Sequence, residues 1–277
     1  MNDNTAQAEH WNGPMGQRWA SRAGRNDYRL ANIQDALMTF AAPQRGMHVL
    51  DIGCGCGTTT LKLAEVCAPG KVLGVDISAP MLEAARARTA EAAVEFVEAD
   101  VSTMNYTLEY DLVFSRFGVM FFADPAVAFA HIRTALRPGG RLVFSCWCAM
   151  NENDWVSLPM QAARDFVPPE EPQEQYAPGQ FAFADAERVQ AILTEAGFRN
   201  IWIERLETKV NLGVDIEDAA NEALNSGALL RASAEMDAAS RETIRGHLRS
   251  LMEQYVTPDG IAMPGACWLV GANVERG

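Results

Sequence analysis

Val49-Leu50-Asp51-Ile52-Gly53-Cys54-Gly55-Cys56-Gly57 is the stretch on which the reading of this chain turns. A short apolar run of this kind reads as a strand buried on both faces, and here it breaks into glycines at every second position. Such a loop turns sharply and leaves its backbone open to a ligand lying against it. A dinucleotide fingerprint, G-x-G-x-x-G, would put its third glycine at position 58. That position is Thr58, and the third glycine is Gly57.

Outward from this loop, strand and helix signals alternate. Thr58 to Val66, with Leu61, Leu63 and Ala64, suits a helix packed on a sheet, and Pro69-Gly70 stops it. Lys71 to Asp76 reads as a second strand, followed by a helix that Ser78 would cap with Pro80 in its first turn. Val94 to Val97 and Asp111 to Ser115 read as the third and fourth strands. Asp124-Pro125 opens a helix with Ala128, Ile132, Ala135 and Leu136 at helical spacing. Pro138-Gly139-Gly140 then turns the chain into a fifth strand, Arg141 to Trp147. Residues 149–184, with prolines at 159, 168, 169, 172 and 178, predict an insertion with little regular structure. Asp185 to Ala196 reads as a helix, Ile201 to Leu206 as a sixth strand, 216–230 and 240–256 as helices, and Ala266 to Ala272 as a seventh strand. Strands separated by helices pair in parallel through right-handed crossovers, so the expected fold is a doubly wound, seven-stranded, mostly parallel α/β sheet. Its ligands would sit at the carboxyl ends of the strands.

Two carboxylates stand at those ends. Asp76 closes the second strand, where it can accept hydrogen bonds from both hydroxyls of an adenosine ribose. Asp100 follows the third, where it can accept from an adenine amino group. With the glycine loop they mark three successive strand ends. The set suits S-adenosylmethionine (SAM) better than NAD, whose pyrophosphate would want a helix N-terminus aimed at it.

VLDIGCGCG (49–57), VLGVDIS (72–78), VEFVEAD (94–100), YDLVFSRFGVMFF (110–122) and LRPGGRLVF (136–144) resemble the successive motifs of the class I SAM-dependent methyltransferases. Within that superfamily they are most similar to the small-molecule branch that includes the ubiquinone/menaquinone methyltransferases. The resemblance is strong over about residues 46–148. It implies a Rossmann-like methyltransferase fold, SAM as cofactor and S-adenosylhomocysteine as product. It implies that Gly53, Cys54, Gly55 and Gly57 line the amino-acid half of SAM, with Asp51 supporting the loop or the methionine amino group. Asp76 would hold the ribose, Ile77 and Met81 would lie against the adenine, and Asp100 and Val101 would face its edge. Ser115 and Arg116 would lie beneath the sulfonium. In related enzymes a helical N-terminal segment closes over SAM; here Arg18 would pair with the methionine carboxylate, and Trp19 or Tyr28 would cover the cofactor.

The domain expectation is an N-terminal helical cap at 1–45 and a methyltransferase domain at 46–277. Insertions at about 149–184 and 214–258 would form a substrate lid. Arg116, Phe117, Gly118 and Met120 would floor the acceptor cavity, and Trp147, Trp155, Phe181 and Phe183 are candidates for its walls. Such walls suit a hydrophobic or aromatic small molecule. Methyl transfer from a sulfonium is an in-line displacement that depends on alignment, and no catalytic residue is assigned. His48 and His131 read as structural, while His10 and His247 fall in candidate lid segments.

Composition narrows the rest. Lys and Arg number 23 against 36 Asp and Glu, a net charge of −13 that repels a polyanion, and no Lys/Arg-rich run opposes it. A nucleic-acid partner is therefore not expected. Nor is the Pro-Pro-Tyr/Phe type of motif found after the fourth strand, where Ser115-Arg116-Phe117-Gly118 stands instead. The six cysteines lack zinc-site spacing and read as small apolar residues, so no metal is expected. MNDNTAQAEH has no signal-peptide character, and no apolar run reaches the roughly 18 residues of a membrane span, which points to a cytoplasmic monomer or homodimer. A non-catalytic, regulatory SAM-binding protein is the alternative that keeps every cofactor motif.

Overall fold

In the computed structural model, β1 (Val49–Ile52) is buried along its whole length and lies in parallel between β2 (Val72–Asp76) and β4 (Tyr110–Arg116). The structure describes residues 4–89, 94–106, 109–167, 176–225, 227–234 and 236–275; the prolines at 168, 169 and 172 lie outside them. β3 (Val94–Glu98) pairs in parallel with β2, and β5 (Leu136–Trp147) with β4. β8 (Gly260–Asn273) runs antiparallel between β5 and the long β6 (Arg199–Gly213), giving the order β3-β2-β1-β4-β5-β8-β6. A two-residue β7 (Val256–Thr257) folds back on β8 as a hairpin. The seven long strands agree with the expected sheet. Strand order reverses between β1 and β4, the place where a parallel sheet opens a crevice at its carboxyl edge.

Three helices come before β1: α1 (Thr5–Asn12), α2 (Pro14–Ser21) and α3 (Ala23–Ala41). α3 buries Leu30, Ile33, Leu37 and Ala41, an i, i+3, i+4 stripe, and packs along β4, β5, β6 and β8. α4 (Thr58–Cys67) lies on β1 and β2, and α5 (Ala79–Ala87) on β2 and β3. α6 (Pro125–Arg133) starts where the Asp124 carboxylate accepts from the Val127 N–H. It ends at Arg133, short of the expected span, because Leu136 is already in β5 opposite Tyr110. Ser78 precedes α5 without capping it; its hydroxyl donates instead to the Trp11 carbonyl (2.7 Å).

The expected irregular insertion is more ordered than its prolines suggest. It carries α7 (Asp154–Ala162), which packs on α9 (Ile216–Leu224), α11 (Ala238–Met252) and β8. α8 (Ala186–Glu195) follows, capped by Asp185, and Gly197 in the left-handed region closes it. The expected helix at 216–230 is split into α9 and α10 (Gly227–Ala234). Phe114, Phe129, Phe144, Phe183 and Phe198 are fully buried in the main core, each worth about 1.5–3 kcal/mol of transfer free energy. Phe183 is thus core, against the expectation that it lines a cavity; it packs on Phe129 and Phe144. Among the described residues, no helix is long and apolar enough to cross a membrane.

One buried side chain ties the insertion to the sheet. Asn153 Oδ1 accepts from Trp155 Nε1 (3.1 Å) and the Ala266 N–H (3.1 Å), while its Nδ2 donates to the carbonyls of Cys148 (3.2 Å) and Ala149 (3.0 Å). Asn153→Ala orphans the Trp155 and Ala266 donors and the Cys148 carbonyl in a buried place, while the Ala149 carbonyl keeps the Glu152 N–H. The expected cost is about 2–4 kcal/mol of unfolding free energy, read by urea denaturation. A loss under about 0.5 kcal/mol would mean that water reaches these groups freely.

Candidate functional site

The loops after β1, β2 and β4 meet at the sheet edge, and glycine is what lets them. Gly53 has φ +63°, and a Cβ built on it would lie 2.6 Å from the Gly118 Cα, so the loops after β1 and β4 touch backbone to backbone. Gly55, at φ +55°, is different: a Cβ there would meet only Met81 Sδ, at 3.9 Å. Its outer face is an open cradle with Met81 as one wall. Beneath the loop, Cys54 packs with Leu82, Ala85 and Phe96, and burial pushes its thiol well above the usual range, so it serves as an apolar support.

Asp76, nearly buried, accepts from the Gly55 N–H (2.7 Å) through Oδ2 and from the Ser78 N–H (2.9 Å) through Oδ1. Burial raises its pKa, and these two bonds oppose the rise. A carboxylate offers about four lone-pair sites, so roughly two remain for a ligand. Asp51 is fully buried; its Oδ2 accepts from the hydroxyls of Thr59 (2.6 Å) and Thr60 (2.7 Å), while Oδ1 has no partner among the described residues. Desolvation lifts its pKa to about 6. An orphaned buried acceptor of this kind fits a cationic donor.

Ser115 turns its hydroxyl inward, donating to the Ile52 carbonyl (2.8 Å) and accepting from the Gly118 N–H (3.1 Å), so it braces the β1–β4 junction from below. Arg116 reaches Gln34 Oε1 (2.9 Å), and burial lowers its pKa against the pull of Asp27 and Asp51. Phe117 sits at φ +68°, a left-handed conformation costly for an aromatic residue, and lies flat on Trp147 with ring centroids 4.4 Å apart.

The N-terminal helices close this edge. Asn12 Nδ2 donates to the Ile77 carbonyl (2.7 Å), and its Oδ1 accepts from the Ala79 N–H (2.9 Å). Asn4 Nδ2 donates to Asp100 Oδ2 (2.9 Å), while Asp100 Oδ1 takes the Ser102 N–H and hydroxyl. Val101 is buried beside it. Trp19 brings its carbonyl to Cys56 Sγ (3.8 Å). Gly53, Cys54, Gly55, Asp76, Met81, Ser115 and Trp19 are therefore gathered at one edge. Arg18 is not: its guanidinium donates to the Asn225 carbonyl after α9, where the chain end of that helix offers a fixed acceptor. Tyr28 likewise bonds the Gly213 and Asp259 carbonyls. His48 and His131 are held by the Lys71 N–H and the Met104 carbonyl, and His247 by the Ala162 carbonyl.

Sequence reading passed over Asn4, Asn12 and Gln34, which no motif marks. It also passed over Arg22, Arg25 and Arg29, although with Arg18 their spacing is helical and puts four guanidiniums on one face. Arg22, Arg25 and Arg29 approach the buried Glu222 of α9 within ion-pair distance.

Residues 49–140 match the family model described as "Methyltransferase domain". The chain is 33% identical over 132 residues to a trans-aconitate 2-methyltransferase of Acidovorax ebreus, covering 48% of each chain. It is 40% identical over 106 residues to a demethylmenaquinone methyltransferase of Lactiplantibacillus plantarum, covering 35% of this chain and 43% of the relative. The chain thus spans less than half the length of these curated relatives. Among solved structures, a putative methyltransferase from Bacillus halodurans superposes with a TM-score of 0.54 at 20% identity, covering 87% of this chain and 98% of that one. That similarity concerns the fold.

Asp51 has a pH signature. Its pKa in the fold, about 6, lies above the ordinary 3.8, so the native state binds the proton more tightly. Its contribution to stability is full below about pH 4 and is lost as the pH rises to about 6, by about 3 kcal/mol in all. Asp51→Asn keeps an acceptor for both threonines and is expected to remove that slope between urea-unfolding curves at about pH 4.5 and about pH 7.5. An unchanged slope in the variant would mean that Asp51 titrates normally.

Proposed function

We propose that this chain, which carries the domain of the class I SAM-dependent methyltransferases over residues 49–140, transfers the methyl group of SAM to a small hydrophobic or aromatic acceptor. The observation that carries the proposal is the junction of the β1, β2 and β4 loops. There an open glycine cradle lies between a carboxylate with spare acceptor capacity and a buried carboxylate oxygen with no donor among the described residues. These residues fit SAM. Asp51 Oδ1 suits the α-ammonium, Gly55 leaves room for the amino-acid chain, Asp76 suits the ribose hydroxyls, and Met81 and Ile77 offer an apolar wall to the adenine. When bound, SAM supplies an electrophilic methyl carbon on a sulfonium.

What the chain contributes is alignment and dryness. The Gly53–Gly118 contact fixes the distance between the cofactor cradle and the residues that follow β4. Phe117, Trp147 and Trp155 give the acceptor side an apolar wall. α1 and α2 cover the edge and exclude water, and since Asn4 and Asn12 bond directly to Asp100 and the β2–α5 loop, this cap must open for the cofactor to enter. The lid is formed by α7, α9, α10 and α11. Oxygen, nitrogen, carbon or sulfur acceptors all fit this geometry, and no proton acceptor is assigned.

Calorimetric titration with SAM, S-adenosylhomocysteine and NAD tests the reading. The first two are expected to bind and NAD is not; binding of NAD alone would overturn it. Asp51→Asn is expected to weaken SAM binding at least about tenfold at about pH 7.5, since a charge-assisted hydrogen bond is lost. Gly55→Val, whose side chain fills the cradle, is expected to abolish binding in a protein that still folds. Unchanged SAM affinity in both folded variants would displace the site from this loop. Release of S-adenosylhomocysteine in an acceptor screen separates an enzyme from a SAM-binding protein.

A further inference from the structure

Four guanidiniums stand between the cap and the lid. Arg25 pairs with Asp218 through two bonds (2.8 and 2.7 Å), and its Nε shares Glu222 (3.3 Å) with Arg22. Arg29 reaches Glu222 only at 3.5 Å, and its buried Nε has no hydrogen-bond partner among the described residues. Arg18 has a backbone carbonyl as its acceptor. Among the described residues four guanidiniums and two carboxylates thus meet here, with Arg29 and Glu222 the well-buried members, within a chain whose overall charge is −13. Burial and the neighbouring guanidiniums hold the Arg29 pKa below its usual value, so an arriving anion would relieve both penalties.

Arg29 is also built into the aromatic wall. Its guanidinium lies over the rings of Trp19 (5.7 Å) and Trp155 (5.4 Å), which fix its plane. From Trp155 the wall runs to Trp147 (5.0 Å) and on to Phe117 (4.4 Å) at the end of β4. From Trp19 it runs to Trp11 (6.1 Å) and Phe121 (5.2 Å), at the far end of the short turn that follows Phe117. The two runs of rings flank the turn after β4, and Arg29 lies against Trp19 in one and Trp155 in the other. An open groove of about 530 Å³, bounded by Arg22, Arg25, Asp218 and Glu222, lies on the outer side of the same cluster.

We infer that the methyl acceptor is an aromatic carboxylic acid, whose ring packs on this wall and whose carboxylate docks on Arg29. The inference rests on the methyltransferase reading and names the substrate class of the same site. A planar guanidinium with an unused N–H, stacked and short of a counter-charge, is matched by a carboxylate and left wanting by a neutral ligand. The excess of arginine over carboxylate sets the local potential against the acidic remainder of the chain.

The test uses the full chain saturated with S-adenosylhomocysteine and matched probes: benzoate and benzamide, cinnamate and cinnamamide, indoleacetate and indoleacetamide. Calorimetry should show at least one acid binding wild type about tenfold or more tighter than its amide. Arg29→Gln should erase that preference, and Arg29→Lys should restore part of it. Acid and amide binding equally well, no acid binding at all, or a preference that survives Arg29→Gln would each overturn the inference. If Arg29→Gln does not fold, the wild-type preference and the Arg29→Lys variant decide. Failure of S-adenosylhomocysteine itself to bind is a separate result, which sinks the methyltransferase reading before any acid is added.

Discussion

The Gly55 N–H donating to the Asp76 carboxylate joins the ends of two adjacent parallel strands, and much of the site depends on that bond. It orients the glycine loop so that the open side of Gly55 faces outward. It also keeps Asp76 turned toward the crevice, although burial alone would favour its neutral form. Across the switch point, the Gly53–Gly118 contact does the same for β4 without a hydrogen bond, by removing every side-chain atom between two backbones. Together the two constraints fix the loops after β1, β2 and β4 as one rigid rim. Rigid elements are where a site that works by alignment is best placed.

Everything that gives the site character is laid on that rim by other parts of the chain. The N-terminal helices cover it through two asparagines, Asn4 on the Asp100 carboxylate and Asn12 on the backbone of the β2–α5 loop, which hold position without adding charge. α9 meets these helices in the arginine cluster around Glu222. Such a cluster is a poor source of stability, because desolvating Arg29 and Glu222 costs about what their ion pair returns. Phe117 belongs to the same logic: a left-handed backbone is tolerated where flat stacking on Trp147 offsets its cost.

The order of strands, the glycine loop and the carboxylates at 76 and 100 were legible in the residues, because each depends on local rules of periodicity and turn chemistry. Where the reading failed, distance in sequence was the cause. Leu136 fits the apolar spacing of α6, yet pairing with Tyr110 draws it into β5. Ser78 has the residue type and position of a helix cap, but Trp11 supplies a competing acceptor. The prolines of the insertion suggested irregular chain, while α7 is held in place by Asn153 bonding to a strand more than a hundred residues later.

By itself the sequence determined that this is a doubly wound α/β chain with a glycine loop and two carboxylates at its strand ends. Hydrophobic period and glycine placement are properties of neighbouring residues, and they survive without knowledge of the fold. Only the tertiary structure decided what that site looks out upon. Trp11, Trp19, Arg29, Phe117, Trp147 and Trp155 come from four separate segments, and no local pattern relates them. They become one wall because the cap, the β4 turn and the insertion are all folded back onto the same edge. There, side-chain burial and the charge left over after pairing are set by elements far apart in the chain.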